Sequence, residues 1–261
     1  SGSVKKTGEL AGAVSISFLL LSSTNSLIHL GAETVTELSE YGKLLLPVMT
    51  AALAAQGGIT SSAALYAGTA AFDTVLMSLI RSLMIPMIYL YLAMAAANSA
   101  VGENTLKKLR DFLKWLMTWT LKIILYVFTG YMGITGVISG TTDAATLKAT
   151  KLTISGMIPV VGGILSDASE TILVSAGVVK NAAGIYGILA ILALCLEPCL
   201  KIGIHYLVLK AAGAIAGIFA PKSLSELISD FSTAMGMMLA ITGSVCLLLL
   251  ISTVCFLKGV G

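Results

Sequence analysis

The segment from Gly156 to Pro198 sets the terms for the whole chain. It places Pro159 and the pair Gly162-Gly163 inside apolar sequence, adds a small polar patch with Asp167 and Glu170, and then runs through largely hydrophobic residues, with Lys180 the one charge, to Glu197 and Pro198. A backbone this apolar, set in lipid, must satisfy its N–H and C=O groups within the chain, which leaves helices or a closed barrel. The apolar segments are long, rich in Gly and Ala, and lack the alternation of barrel strands, so helices are expected. Composition extends the reading to all 261 residues: 57% are hydrophobic and 11% charged, and the mean hydropathy is +0.96. A soluble domain would be roughly a quarter charged. The expected fold is all-α, a polytopic transmembrane helical bundle of about seven spans.

Several function classes are disfavoured at this level. The net charge of +3 comes mostly from one basic cluster and gives no sign of nucleic acid binding. Cys195, Cys199, Cys246 and Cys255 all fall in apolar helical sequence, where a disulfide framework is not expected. The chain has no G-x-x-x-x-G-K-[ST], H-E-x-x-H or G-x-S-x-G pattern, so no enzyme, cofactor or metal is expected, and any energy comes from a partner or an ion gradient. Ser1-Gly2-Ser3 reads as a cloning scar, residues 1–10 as scar and linker, and no signal peptide follows.

The prolines suggest a duplication. Pro47 and Pro86 stand at the same separation as Pro159 and Pro198, in similar apolar surroundings, so a first membrane repeat is expected over 11–122, a second over 123–233, and a terminal helix over 234–261. In the first, 11–30 has the length of one span, and 31–42, with Glu33, Glu37 and Glu40, suits a short interfacial helix. Residues 43–81 are too long for one ordinary span and carry Gln56-Gly57-Gly58 in the middle. The expectation there is a discontinuous crossing that lines a polar site, with helix breaks at Pro47, Gly57 and Gly58 and, in the second copy, at Pro159, Gly162 and Gly163. Residues 82–100 return across the membrane.

Residues 104–114 form a basic amphipathic helix whose Lys107, Lys108, Arg110 and Lys114, with Trp115 and Trp119 beyond, suit a membrane surface or a docking partner. Its counterpart, 223–231, opens with a capping box of Ser223 and Glu226 and is acidic, with Glu226 and Asp230. Basic loops stay in the cytoplasm, so the two helices are expected on opposite faces and the repeat inverted; a parallel repeat is the alternative.

Charged groups inside spans are candidates for function, because each costs several kcal/mol unless paired or hydrated. The candidate polar pathway comprises Asp73, Asp167, Glu170, Lys180, Glu197, Lys201 and His205. Glu197, Lys201 and His205 share a helical face at i, i+4, i+8. The plainer readings are that Glu197 and Lys201 reach toward the interface from a helix end and that Asp73 and Lys180 form a buried structural pair. Cys195 and Cys199 near His205 are read as small hydrophobes, not metal ligands.

The run G-M-I-P-V-V-G-G-I-L-S-D-A-S-E-T-I-L-V-S-A-G-V-V-K-N-A-A-G from Gly156 to Gly184 closely resembles the stage III sporulation protein AE family of endospore-forming bacteria, as do Leu45 to Gly58 and the basic helix. The resemblance covers nearly all of the chain from Gly8 onward. It implies a multi-pass protein of the mother-cell membrane facing the forespore, part of a channel complex with a cytoplasmic secretion-type ATPase, ring-forming proteins and a forespore membrane partner. It also implies support of forespore integrity and late forespore gene expression, and an additional amino-terminal extracytoplasmic part. It supplies no catalytic residues. Three readings follow: a channel or transporter-like subunit; a non-transporting scaffold that recruits the ATPase and ring proteins or anionic lipid; and an ion-coupled secondary transporter. Membrane lipid is a partner in all three, and homo-oligomerisation stays open.

Overall fold

The structure, a computed structural model, describes the backbone of residues 2–101, 104–157 and 162–258, and the side chains of residues 12, 14–60, 62–99, 106–134 and 177–257. Helix α1 (Gly2–Ala55) leads to α2 (Ile59–Leu79), a π-helical turn (Ile80–Met84), α3 (Ile85–Val101), α4 (Asn104–Met157), α5 (Gly162–Phe219) and α6 (Lys222–Lys258). No strand occurs among the described residues, as the all-α expectation requires.

Five helical stretches are long and apolar enough to cross a membrane: Val14–Ala55, Ser62–Ser99, Leu106–Ile134, Gly177–Phe219 and Lys222–Leu257. Among the described residues there are five such stretches, where about seven shorter spans are expected from the sequence. Helix α1 runs straight through the acidic stretch 31–42 and past Pro47, which lies inside it and is no break. Helix α4 joins the basic segment to the span after it, α5 continues through Pro198, and α6 joins 223–231 to 234–257. A helix bonds its own backbone whatever its side chains, so charges on an open face do not end it. At 1.5 Å per residue the 43-residue stretch of α5 is about 65 Å long, against about 30 Å for a hydrocarbon core.

The glycine pair does end a helix, with a consequence that the sequence reading did not foresee. Gly57 has φ 94°, Gly58 N–H donates to Leu53 O at 3.1 Å and Gly57 N–H to Ala54 O at 2.9 Å. This is a Schellman cap with glycine in the left-handed position that a side chain resists. Beyond it α2 returns along α1, since Ser39 meets Asp73. Gln56-Gly57-Gly58 is therefore the tip of a helical hairpin, not a gap in one discontinuous crossing.

The π-helical turn has an identifiable cause. Ile85 donates its N–H to Ile80 O, five residues back, and Pro86 follows at once. Proline lacks an N–H and its ring crowds the carbonyl four residues earlier; the wider π turn absorbs that mismatch without ending the helix.

The long helices contribute to two compact units. The first comprises 1–36, 76–123 and 194–244, the second 37–75, 124–193 and 245–261. In the first unit, α1 and α3 are antiparallel, with Tyr89 Oη donating to Asn25 Oδ1 at 2.7 Å and Arg81 Nη2 to Thr36 Oγ1 at 2.8 Å. Helix α6 packs antiparallel on α5, where Ser225 and Ser232 donate to the carbonyls of Gly213 and Tyr206 at 2.9 and 3.1 Å. It packs parallel to α4 through Lys107–Glu226 and Arg110–Asp230.

In the second unit, Phe72 of α2 meets Phe128 of α4 at 5.3 Å between ring centroids, and Tyr131 donates to Ala64 O at 3.0 Å. Leu249 of α6 lies over Gly42 of α1 and Leu257 over Gly184 of α5. Helix α6 is the most enclosed of the five stretches. Its hydroxyls face inward: Thr242, Ser244 and Thr253 donate to carbonyls four residues back, which satisfies them without another helix.

Candidate functional site

Asp73 lies on α2 in the second unit, where the hairpin brings α1 alongside it. Only 8% of its surface is exposed. Ser39 Oγ, on α1, donates to Oδ2 at 2.8 Å, while Oδ1 is buried without a hydrogen-bond partner. The carboxyl group borders a cavity of about 70 Å³ to which Lys43, Tyr66 and Thr74 add polar atoms and Leu46 and Leu249 apolar walls. A water needs about 10–15 Å³ by this measure, so several waters fit. One turn before Asp73, the buried Thr69 donates to Leu65 O at 2.9 Å and so receives the Ser252 hydroxyl, 3.0 Å away on α6. A half-bonded carboxyl group beside a water-sized space can hold or exchange a small cation.

The first unit contains a different arrangement. Asp230 of α6 accepts from Tyr91 Oη of α3 at 3.1 Å and from Arg110 Nη1 of α4. Lys107 and Glu226 pair beside it at 3.7 Å, and Asp111 lies 3.9 Å from Arg110 Nε. Arg110 and Asp230 are buried and both Asp230 oxygens are occupied, so this is a closed ionic lock between three helices.

The lock corrects two expectations. The basic and acidic amphipathic segments do not lie on opposite faces, because their charges pair within one unit, so the charge asymmetry gives no support to an inverted repeat. Arg110 is not a surface docking residue, since Asp230 holds it in the interior. Lys108 and Lys114 remain exposed, beside Phe112, Trp115 and Trp119, whose successive ring centroids are 6.0 Å apart, the first pair stacked and the second tilted.

The other anticipated residues are dispersed. Lys180 is buried on α5 in the second unit. Lys201 Nζ donates to Glu197 Oε1 at 2.6 Å on an exposed face of α5, and the half-buried His205 leaves Nε2 without a partner. Pro159 and the side chains of Asp167 and Glu170 lie outside the described residues, and Gly162 and Gly163 open α5. The Cys195 and Cys199 sulfurs are 3.2 Å apart, and no group of three or more metal-ligating side chains occurs among the described residues.

Ser39, Tyr91 and Asp230 escaped the sequence reading as site residues. Their partners are 34, 139 and 120 residues away in the chain, and no local pattern announces such pairing. The single usable signal was a carboxylate at Asp230 in the first turns of a helix that then carries no charge until Lys258.

The chain is 25% identical over 197 residues to stage III sporulation protein AE of Bacillus subtilis (strain 168), a match covering 76% of this chain and 49% of that protein. The chain thus spans about half the length of the curated relative it matches. No solved structure matches it. The family model described as stage III sporulation protein AE matches residues 1–259, and the chain belongs to that family.

Proposed function

We propose that the chain is a channel or transporter-like subunit of the membrane complex joining mother cell and forespore, acting in the mother-cell membrane with a cytoplasmic ATPase and ring-forming proteins. The observation that carries this reading is Asp73: a buried carboxyl group with one unbonded oxygen, on a residue that lines a water-sized cavity within a bundle of membrane-length helices. A scaffold gains nothing from such a group, which costs several kcal/mol in an apolar setting. The test is Asp73→Asn in the full-length protein of an endospore-forming host. The amide oxygen still accepts from Ser39, so the protein level by immunoblot should be unchanged while heat-resistant spore counts collapse. Wild-type counts at normal level would remove Asp73 from the mechanism.

Helix order also supports a duplication of the parallel kind. The hairpin of α1 with α2 and α3 is followed by α4 and α5, which run in opposite senses beside α6. On this reading α6 is an added central helix.

A scaffold reading has its own observation in its favour. Phe112, Trp115 and Trp119 are each about half exposed and follow one another along α4 beside Lys108 and Lys114, a face suited to anionic headgroups or an acidic partner.

A further inference from the structure

We propose that Asp73 is a proton-binding site that exchanges its proton with water in the adjoining cavity, and that Lys43 pairs with the carboxylate when the proton leaves. The inference deepens the transport reading and rests on it for the use made of the proton. The geometry bears first on the two oxygens. Oδ2 is bonded by Ser39, whereas Oδ1 is buried and unbonded. An ionised carboxylate in that position leaves its least solvated oxygen unpaired, which costs more than a neutral orphan does. A proton on Oδ1 removes the charge from this buried, unbonded oxygen, and Asp73 lines the cavity whose water exchanges the proton.

The lining argues against a metal ion. Sodium-like or calcium-like binding needs about six oxygen ligands. Among the described residues Asp73 is the sole carboxylate bordering the cavity, and Lys43 adds a positive charge to its wall. The neighbouring carbonyls of α1 and α2 belong to helices and are engaged in backbone bonding. A proton needs only the one free oxygen.

Lys43 stands one turn beyond Ser39 on α1, hence on the same face, and is exposed at the cavity wall. Protonation takes a proton from hydronium in the cavity and leaves water. Release returns the proton to cavity water, and the Lys43 ammonium group, which keeps its own protons, neutralises the carboxylate. Among the elements packed nearby, α2 contributes the titratable Tyr66 and α6 contributes Leu249, with no charged residue between Asp230 and Lys258. Helix α4 contacts α2 through Phe128 and Tyr131, and α5 carries the buried Lys180, which is not part of the cavity lining.

The test uses the full chain reconstituted in lipid vesicles. Infrared difference spectra between acidic and neutral pH should show a protonated-carboxyl band that is lost in Asp73→Asn and indifferent to exchanging potassium for sodium. Lys43→Gln and Ser39→Ala keep Asp73 in place; each should move the pH at which the band is half developed upward, Lys43→Gln by about one pH unit or more. No band, a band that survives Asp73→Asn, a band displaced by sodium at fixed pH, or an unchanged midpoint in both other variants overturns the proposal. Proton flux, followed in the same vesicles with an entrapped pH dye, separates the two readings. The expected band without flux in the wild type overturns transport and leaves the proton site standing. Flux that Asp73→Asn does not alter, with no band, overturns the proton site alone.

Discussion

Breaking the Arg110–Asp230 lock should unfold the first unit far more readily than its exposed position in the sequence pattern suggests. Asp230→Leu would leave the Arg110 guanidinium buried with Asp111, 3.9 Å from Nε, as its remaining ion-pair partner, and would strip the Tyr91 hydroxyl of its acceptor. Removing one partner of a buried pair costs about 3–5 kcal/mol, and an orphaned hydroxyl adds about 1–3 kcal/mol. The first figure alone lowers the folding equilibrium constant by roughly two to four orders of magnitude. Arg110→Met should be similarly costly, since it strands the Asp230 carboxylate. The double variant Arg110→Met with Asp230→Leu removes both charges and should recover most of the loss, because apolar replacement of a buried pair is often close to neutral. Unfolding of the purified chain by titrated denaturing detergent, followed by circular dichroism, measures all four corners of the cycle. Single variants that each cost under about 1 kcal/mol and simply add in the double would mean no coupling. That result would refute the pairing and, with it, the parallel placement of α4 and α6.

Three further outcomes are expected. Gly57→Ala forces a side chain into the left-handed position at φ 94° and should cost about 1–2 kcal/mol, read as faster amide exchange in the last turn of α1; unchanged exchange would contradict the cap. The Tyr131 ring leaves no room for a Cβ on Gly68, so Gly68→Ala should destabilise by about 1–3 kcal/mol in the wild-type chain and by much less in one that already carries Tyr131→Ala. Equal loss in both chains would show that α2 and α4 do not meet there. Lys108→Glu with Lys114→Glu should reduce the anionic lipid that co-purifies, by about 1 kcal/mol of affinity per lysine, as counted by native mass spectrometry. Undiminished retention would count against a headgroup role for that face.

How far each part was legible in the sequence follows from the range of the forces involved. Pro159, Gly162 and Gly163 in apolar sequence pointed to helices in lipid because an unsatisfied backbone is intolerable there, a constraint that acts residue by residue. The same run of residues carried the family likeness, and Gly57 announced a helix end because its conformation is local. Asp73 was also legible, as a charge where charges are costly. Its partner Ser39, the cavity and the unbonded Oδ1 were not, since they exist only once the hairpin folds α1 against α2.

By itself the sequence determined class and setting: apolar composition demands helices, and helices of this composition demand a membrane. The tertiary structure alone decided that charges at 33–43 and 197–201 lie along unbroken helices, and that the basic start of α4 meets the acidic start of α6. The physical reason is that hydropathy and propensity are summed over neighbours in the chain, whereas a salt bridge depends on which distant residue packing brings within reach. Charge patterns alike in sequence can therefore mark opposite membrane faces or two halves of one lock, and only packing separates the cases.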